Sequence, residues 1–196
     1  MVRERTTQRL EKLRRVLALR QKDLTLVLAN IHDPHNVSAI YRSCDAFGVP
    51  RVHLYYTDTA FPTLGASSSA SARKWVDTVR HKDEQSLMKA LRAEGMQVLA
   101  TSCTPAARPL QEYDLARPTA VIMGNEHRGV DSELVGLVDG EVYIPMYGMI
   151  QSFNVSVAAA VILSEAARQR QLAGKYDSPT YTEEEYNAIL EKWVEK

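Results

Sequence analysis

Apolar residues near the start of the chain fall at helical spacing: Leu10, Leu13, Val16 and Leu17 predict an amphipathic helix over residues 6–20 with a basic outer face. The period then changes. Residues 24–29 form a short β-favouring apolar run, residues 30–36 are turn-rich, and a helical pattern runs through Phe47 until Gly48 and Pro50 stop it. Residues 52–56 read as the next strand, the Ser/Ala-rich residues 65–72 as a flexible loop, and the region around 75–79 as another strand. The alternation continues with a helix over 83–94 ended by Gly95, strands over 97–101 and 120–123, a helix over 131–138 and a strand over 142–144. A long helix of small and apolar residues begins near Ser152. In the tail, Thr182 and Glu185 have the spacing of a capping box, and Tyr186, Ile189, Leu190, Trp193 and Val194 lie on one helical stripe that must dock on something.

Strands alternating with helices predict an α/β fold, a mostly parallel sheet with helices on both faces, in which ligands bind beyond the carboxyl ends of the strands. At 196 residues with 45% apolar types, the chain can build one well-packed core. We divide it into a basic N-terminal helical extension (1–22), a core domain (23–172) and a C-terminal helical extension (173–196). The apolar run over 155–163 is too short for a bilayer, and the basic start lacks the apolar stretch of a signal peptide, so a cytoplasmic protein is expected. Cys44 and Cys103 read as buried free thiols, and the five histidines have no ligand spacing, so no metal is implied. The formal net charge is zero, yet residues 1–22 hold eight basic side chains against two acidic ones, while residues 177–196 hold six acidic against two basic. A basic arm can engage a polyanion such as RNA through Arg9, Arg14 and Arg15; an ordinary solvated helix face is the alternative.

Three loops carry unusual residue clusters. Gly124-Asn125-Glu126-His127-Arg128-Gly129 follows an apolar strand, and its two glycines allow close backbone approach to a ligand. It lacks both the GxGxxG spacing and a Gly-Lys-Ser/Thr, so the usual phosphate cradles are disfavoured and a plain tight turn remains open. Ile144-Pro145-Met146 ends the last strand, and Ser152-Phe153-Asn154-Val155 opens the long helix, where Ser152 or Asn154 could serve simply as an N-cap. The first loop and its helix hold Asn30, Pro34, Asn36, Arg42 and Ala46-Phe47-Gly48. All three occur in order along one chain.

Together these segments resemble the three motifs of the SpoU branch of the SPOUT RNA methyltransferases, and the match covers nearly the whole sequence. The basic N-terminal helix, the tail with Trp193 and the Lys74-Trp75-Val76 segment are most like the members that methylate guanosine 18 of tRNA. One local departure is Ser69-Ala70-Ser71-Ala72-Arg73, where relatives often carry a glycine pair. The resemblance implies a trefoil knot from Gly124 onward, a homodimer, and S-adenosylmethionine as methyl donor, held at Thr101, Gly124, Ile144, Met146 and Phe153. It also implies 2′-O-methylation of a ribose in tRNA, with Arg42 as the catalytic residue and Asn36, Glu126, Ser152 and Asn154 completing the site. A guanidinium is a poor base at neutral pH, so two roles for Arg42 stay open: proton acceptor, or binder of a phosphate and of the developing alkoxide. Two rivals are a non-catalytic RNA-binding module of the same fold and a nucleotide-using oxidoreductase. The intact donor segments count against the first, and the missing GxGxxG against the second.

Overall fold

The computed structural model describes residues 7–58, 60–62, 72–125 and 128–196. Glu126, most of the 65–72 loop, and Arg3 and Arg5 of the basic arm therefore lie outside the described residues. Among the described residues the elements run α1 (Thr7–Ala18), β1 (Leu24–Ala29), α2 (Pro34–Ala46), β2 (Arg51–Tyr55), β3 (Asp77–His81), α3 (Glu84–Ala93), β4 (Gln97–Thr101), β5 (Arg108–Pro109), β6 (Thr119–Met123), α4 (Ser132–Val135), β7 (Gly140–Tyr143), α5 (Val155–Leu172) and α6 (Glu183–Glu195). The strands form one sheet in the order β3-β2-β1-β6-β4-β7-β5, with every ladder parallel.

Burial on both faces explains why β1 and β6 are continuous apolar runs rather than alternating ones. Leu24, Leu26 and Leu28 meet α2 and α5 through Ile40, Tyr41, Cys44, Ile162 and Leu163; Val27 and Ala29 on the other face join the cluster that holds Leu87 and Leu91 of α3 and Leu134 of α4. The chain therefore forms three layers. From β1 the strand order runs outward to β3 on one side, and the later strands fill the other, so the topological switch lies between β1 and β6. The loops leaving the carboxyl ends of those two strands meet there, joined by the Asn125 side chain donating to the carbonyl of Asn30.

Five local expectations change. Cys44 is buried as expected, but Cys103 is exposed. Trp75 is not in a strand; it follows a 3-10 turn (Ala72–Lys74), and its ring meets Trp193 edge-on at 5.1 Å. The helix expected over 131–138 is the single turn Ser132–Val135, followed by Gly136, and the strand expected to reach Ile144 ends at Tyr143. Two-residue β5 carries no periodicity that a sequence reading could use. Arg20, counted with the basic arm, is buried: its guanidinium is ion-paired with Asp45 of α2, donates to the carbonyl of Val49 and stacks over Trp193. In the tail the capping box forms as expected, and α6 lays Trp193 and Leu190 against Leu13 and Leu17 of α1.

Candidate active site

Beyond the carboxyl ends of β4, β6 and β7 lies a cleft of about 1560 Å³. Thr101, Gly124, Ile144, Met146 and Phe153 all line it, as do Ser152 and Asn154. Each comes from a different loop position, and the parallel sheet is what gathers them, because it puts the exits of three strands side by side.

The β6 loop is a tight reversal in which the backbones of Asn125 and Gly129 exchange hydrogen bonds of 2.9 Å each. Gly129 takes a positive φ of 72°, and a Cβ at Gly124 would sit 2.3 Å from the carbonyl carbon of Gly129. The loop thus needs glycine at both positions, and it offers bare backbone to the cleft. Thr101 stabilises the same corner: its hydroxyl donates to the carbonyl of Ile122 at 3.0 Å.

Asn154 serves as the N-cap that its position allows and also reaches a second side chain. Its Oδ1 accepts from the backbone N–H of Ser156 and caps α5, while its Nδ2 donates to Oδ1 of Asn36 at 3.1 Å. The start of α5, which walls the cleft, is in this way tied to the start of α2, whose own N-cap is Asp33. Arg42 is two turns further along α2, exposed, and it does not line the cleft. Of the predicted RNA contacts, Arg14 and Arg15 are exposed on α1 and Arg9 is half-buried.

The charges around the cleft are mixed. Asp131 and Glu141 contribute carboxylates, and Arg128 reaches out to Asp58, whose carboxyl is held below the usual range by hydrogen bonds from Arg128 and Thr57. Sequence reasoning singled out neither Asp58 nor Asp131: the pairs they form span 70 and 101 residues, and no local pattern marks them. Among the described residues no group of three or more His, Cys, Asp or Glu could hold a metal, and no helix is long and apolar enough to cross a membrane.

Loop backbone at the carboxyl ends of three neighbouring parallel strands, with mixed apolar and acidic walls, has the place and composition of a ligand site in an α/β protein. The chain belongs to the SpoU rRNA Methylase family, whose model matches residues 23–164. It is 46% identical over 195 residues, 100% of both chains, to the tRNA (guanosine(18)-2′-O)-methyltransferase of Thermus thermophilus. The solved TrmH/SpoU tRNA modifying enzyme of A. aeolicus superposes with a TM-score of 0.89 at 39% identity, covering 96% of this chain and 95% of that one. The SpoU methyltransferase AviRb from Streptomyces viridochromogenes, solved in complex with the cofactor AdoMet, gives 0.69 at 28% identity over 78% of this chain and 62% of its own.

Proposed function

We propose that this chain transfers the methyl group of S-adenosylmethionine to the ribose 2′-hydroxyl of guanosine 18 in tRNA, the reaction named for its relative at 46% identity. The Asn154–Asn36 hydrogen bond carries the reading, because it joins the wall of the donor cleft to the helix that holds Arg42. The residues present fit the donor: bare backbone at Gly124 and the Thr101 hydroxyl suit the polar edge of adenine, Ile144, Met146 and Phe153 suit its faces, and Asp131 and Glu141 suit a cation. When bound, the donor supplies an electrophilic methyl group on a positively charged sulfur.

The chain's own residues then position and polarise the acceptor. The planar fork of N–H donors on an arginine suits two oxygens at once, so we assign Arg42 the grip on the phosphate beside the acceptor and on the developing alkoxide, and the hydroxyl proton leaves to solvent. Asn36 fixes the start of that helix, Ser152 and Asn154 complete the wall, and Glu126 is placed with them by its motif. Arg9, Arg14 and Arg15 hold RNA backbone from α1.

The same reading takes 23–172 as the methyltransferase core, with the chain from Gly124 onward knotted, and 1–22 and 173–196 as extensions. The packing of α1 on α6 supports treating the two extensions as one unit. It also makes the protein a cytoplasmic homodimer: Tyr147 and Met149, 97% and 100% exposed, with Ile150 and Val157 beside them, form an apolar surface that a second copy would cover.

The test is methylation of a tRNA transcript followed by nuclease digestion and mass spectrometry, with a second transcript carrying 2′-deoxyguanosine at position 18. One methyl group at that nucleotide, and none on the deoxy transcript, is expected. Donor binding without transfer to any RNA would leave only an RNA-binding module and sink the reading.

A further inference from the structure

Asn30 belongs to the first motif, yet it does not line the cleft described above, and the reaction gives it no task. It is 1% exposed, and it alone among the described non-glycine residues has a positive φ, 50°. Asparagine is one of the few side chains that tolerates this conformation, and a buried residue held there is fixed by its surroundings.

Those surroundings converge on Asn30 from two other loops. On the β2 side, its N–H donates to the carbonyl of Tyr55 at 2.9 Å, its Oδ1 accepts from the N–H of Thr57 at 3.0 Å, and its Nδ2 donates to the Thr57 hydroxyl at 3.1 Å. On the β6 side, its carbonyl accepts from Nδ2 of Asn125 at 2.7 Å, and its Nδ2 donates to Oδ2 of Asp131 at 3.2 Å. Asn125 and Asp131 bracket the reversal that presents Gly124 to the cleft. An outer link closes the ring, since Thr57 donates to Asp58, Asp58 pairs with Arg128, and the Arg128 N–H donates to Oδ1 of Asn125. Because Arg128 and Asp58 are 54% and 43% exposed, that outer link is screened by water, and the buried contacts of Asn30 do most of the holding.

We infer that Asn30 is a positioning residue of the reaction: it clamps the β6 loop in its donor-binding shape and sets that loop against the start of α2, which carries Asn36. Asn36 lies six positions after Asn30, so one anchor fixes the donor side and the acceptor side at the topological switch. This inference rests on the methyltransferase reading above.

Its test uses the full-length protein and S-adenosylmethionine titrated by calorimetry. Wild type must bind first; if it does not, the methyltransferase reading fails before the clamp is tested. Asn30→Asp preserves the shape and the acceptor but turns the Nδ2 that faces Asp131 into a second buried carboxylate oxygen. Two carboxylates at that distance repel unless they share a proton. Donor affinity should fall about tenfold relative to wild type at pH 8, the scale of one broken buried hydrogen bond, and the deficit should shrink toward pH 6. In the double variant Asn30→Asp/Asp131→Asn a donor again faces an acceptor, so affinity should recover to that of Asp131→Asn alone. The Kd for tRNA should stay unchanged throughout. Asn30→Gly, which keeps the left-handed backbone, serves if the Asp variant fails to fold, and it too should bind the donor more weakly. Wild-type donor affinity in the folded variants overturns the inference. So does a deficit that neither pH nor Asp131→Asn relieves, which would make Asn30 a purely structural residue.

Discussion

Gly124 leaves no room for a side chain: an added Cβ would meet backbone atoms of Gly129 and Val130 at 2.3 to 2.6 Å, and backbone cannot rotate away as a side-chain tip can. We predict that Gly124→Ala folds but binds the donor roughly tenfold to a hundredfold more weakly, as overpacking of this kind costs about 1–3 kcal/mol. Equal Kd values by calorimetry would show that the loop is not the donor wall. Arg42 is a different case, since it does not line the cleft. Arg42→Ala should lose about a hundredfold or more in single-turnover rate with donor affinity kept, and Lys should rescue only in part because it lacks the planar fork. Near-normal turnover in the Ala variant would remove Arg42 from the mechanism. Asn154 was legible as an N-cap; that its side chain also bonds Asn36 at 3.1 Å is not encoded in its own sequence neighbourhood.

At the level of elements, α1 presents Arg14 and Arg15 to solvent while Leu13 and Leu17 are buried against α6. Neutralising Arg9, Arg14 and Arg15 together should weaken tRNA binding and lower the slope of log K against log salt by about 0.9 for each phosphate that the arm no longer neutralises. Donor affinity and turnover at saturating tRNA should survive, because these charges contribute uniform binding. An unchanged salt slope would move RNA recognition to the core loops. Strands β2 and β3 make a second prediction through His53 and His81, whose rings stack with Nδ1 of His53 2.9 Å from Nε2 of His81. Burial, aided by Arg51 and His81, pushes His53 down to about 3, and burial lowers His81 as well. The unfolded chain therefore takes up protons that the folded one refuses, so stability is lost as pH falls from about 6.5 toward 3. His53 alone should contribute about 1.4 kcal/mol per pH unit in that window. Urea unfolding at pH 7, 6 and 5 should give His53→Leu a shallower acid slope than wild type, and parallel slopes would refute the assignment.

For the whole molecule, the exposed apolar segment around Tyr147 and Met149 predicts a dimer by light scattering at micromolar concentration, and Tyr147→Ser/Met149→Ser should shift it toward monomer with a loss of turnover. A fully active wild-type monomer would mean that one chain holds a complete site. The alternation of apolar runs with amphipathic segments was enough to determine the α/β class, the strands β1, β4 and β6, the long α5 and the capped α6, because burial periodicity and capping are local properties of the chain. Two of the three motif clusters likewise marked loops that line the cleft. Tertiary structure alone decided the strand order, the reduction of α4 to one turn, and the burial of Arg20 and Arg170, whose charges are answered by Asp45 and Asp23 far along the chain. It alone also decided that Asn30, Asn125 and Asp131 would meet. Each of these depends on residues tens to more than a hundred positions apart, where the free energy of a hydrogen bond or ion pair is set by partners that no window of sequence contains.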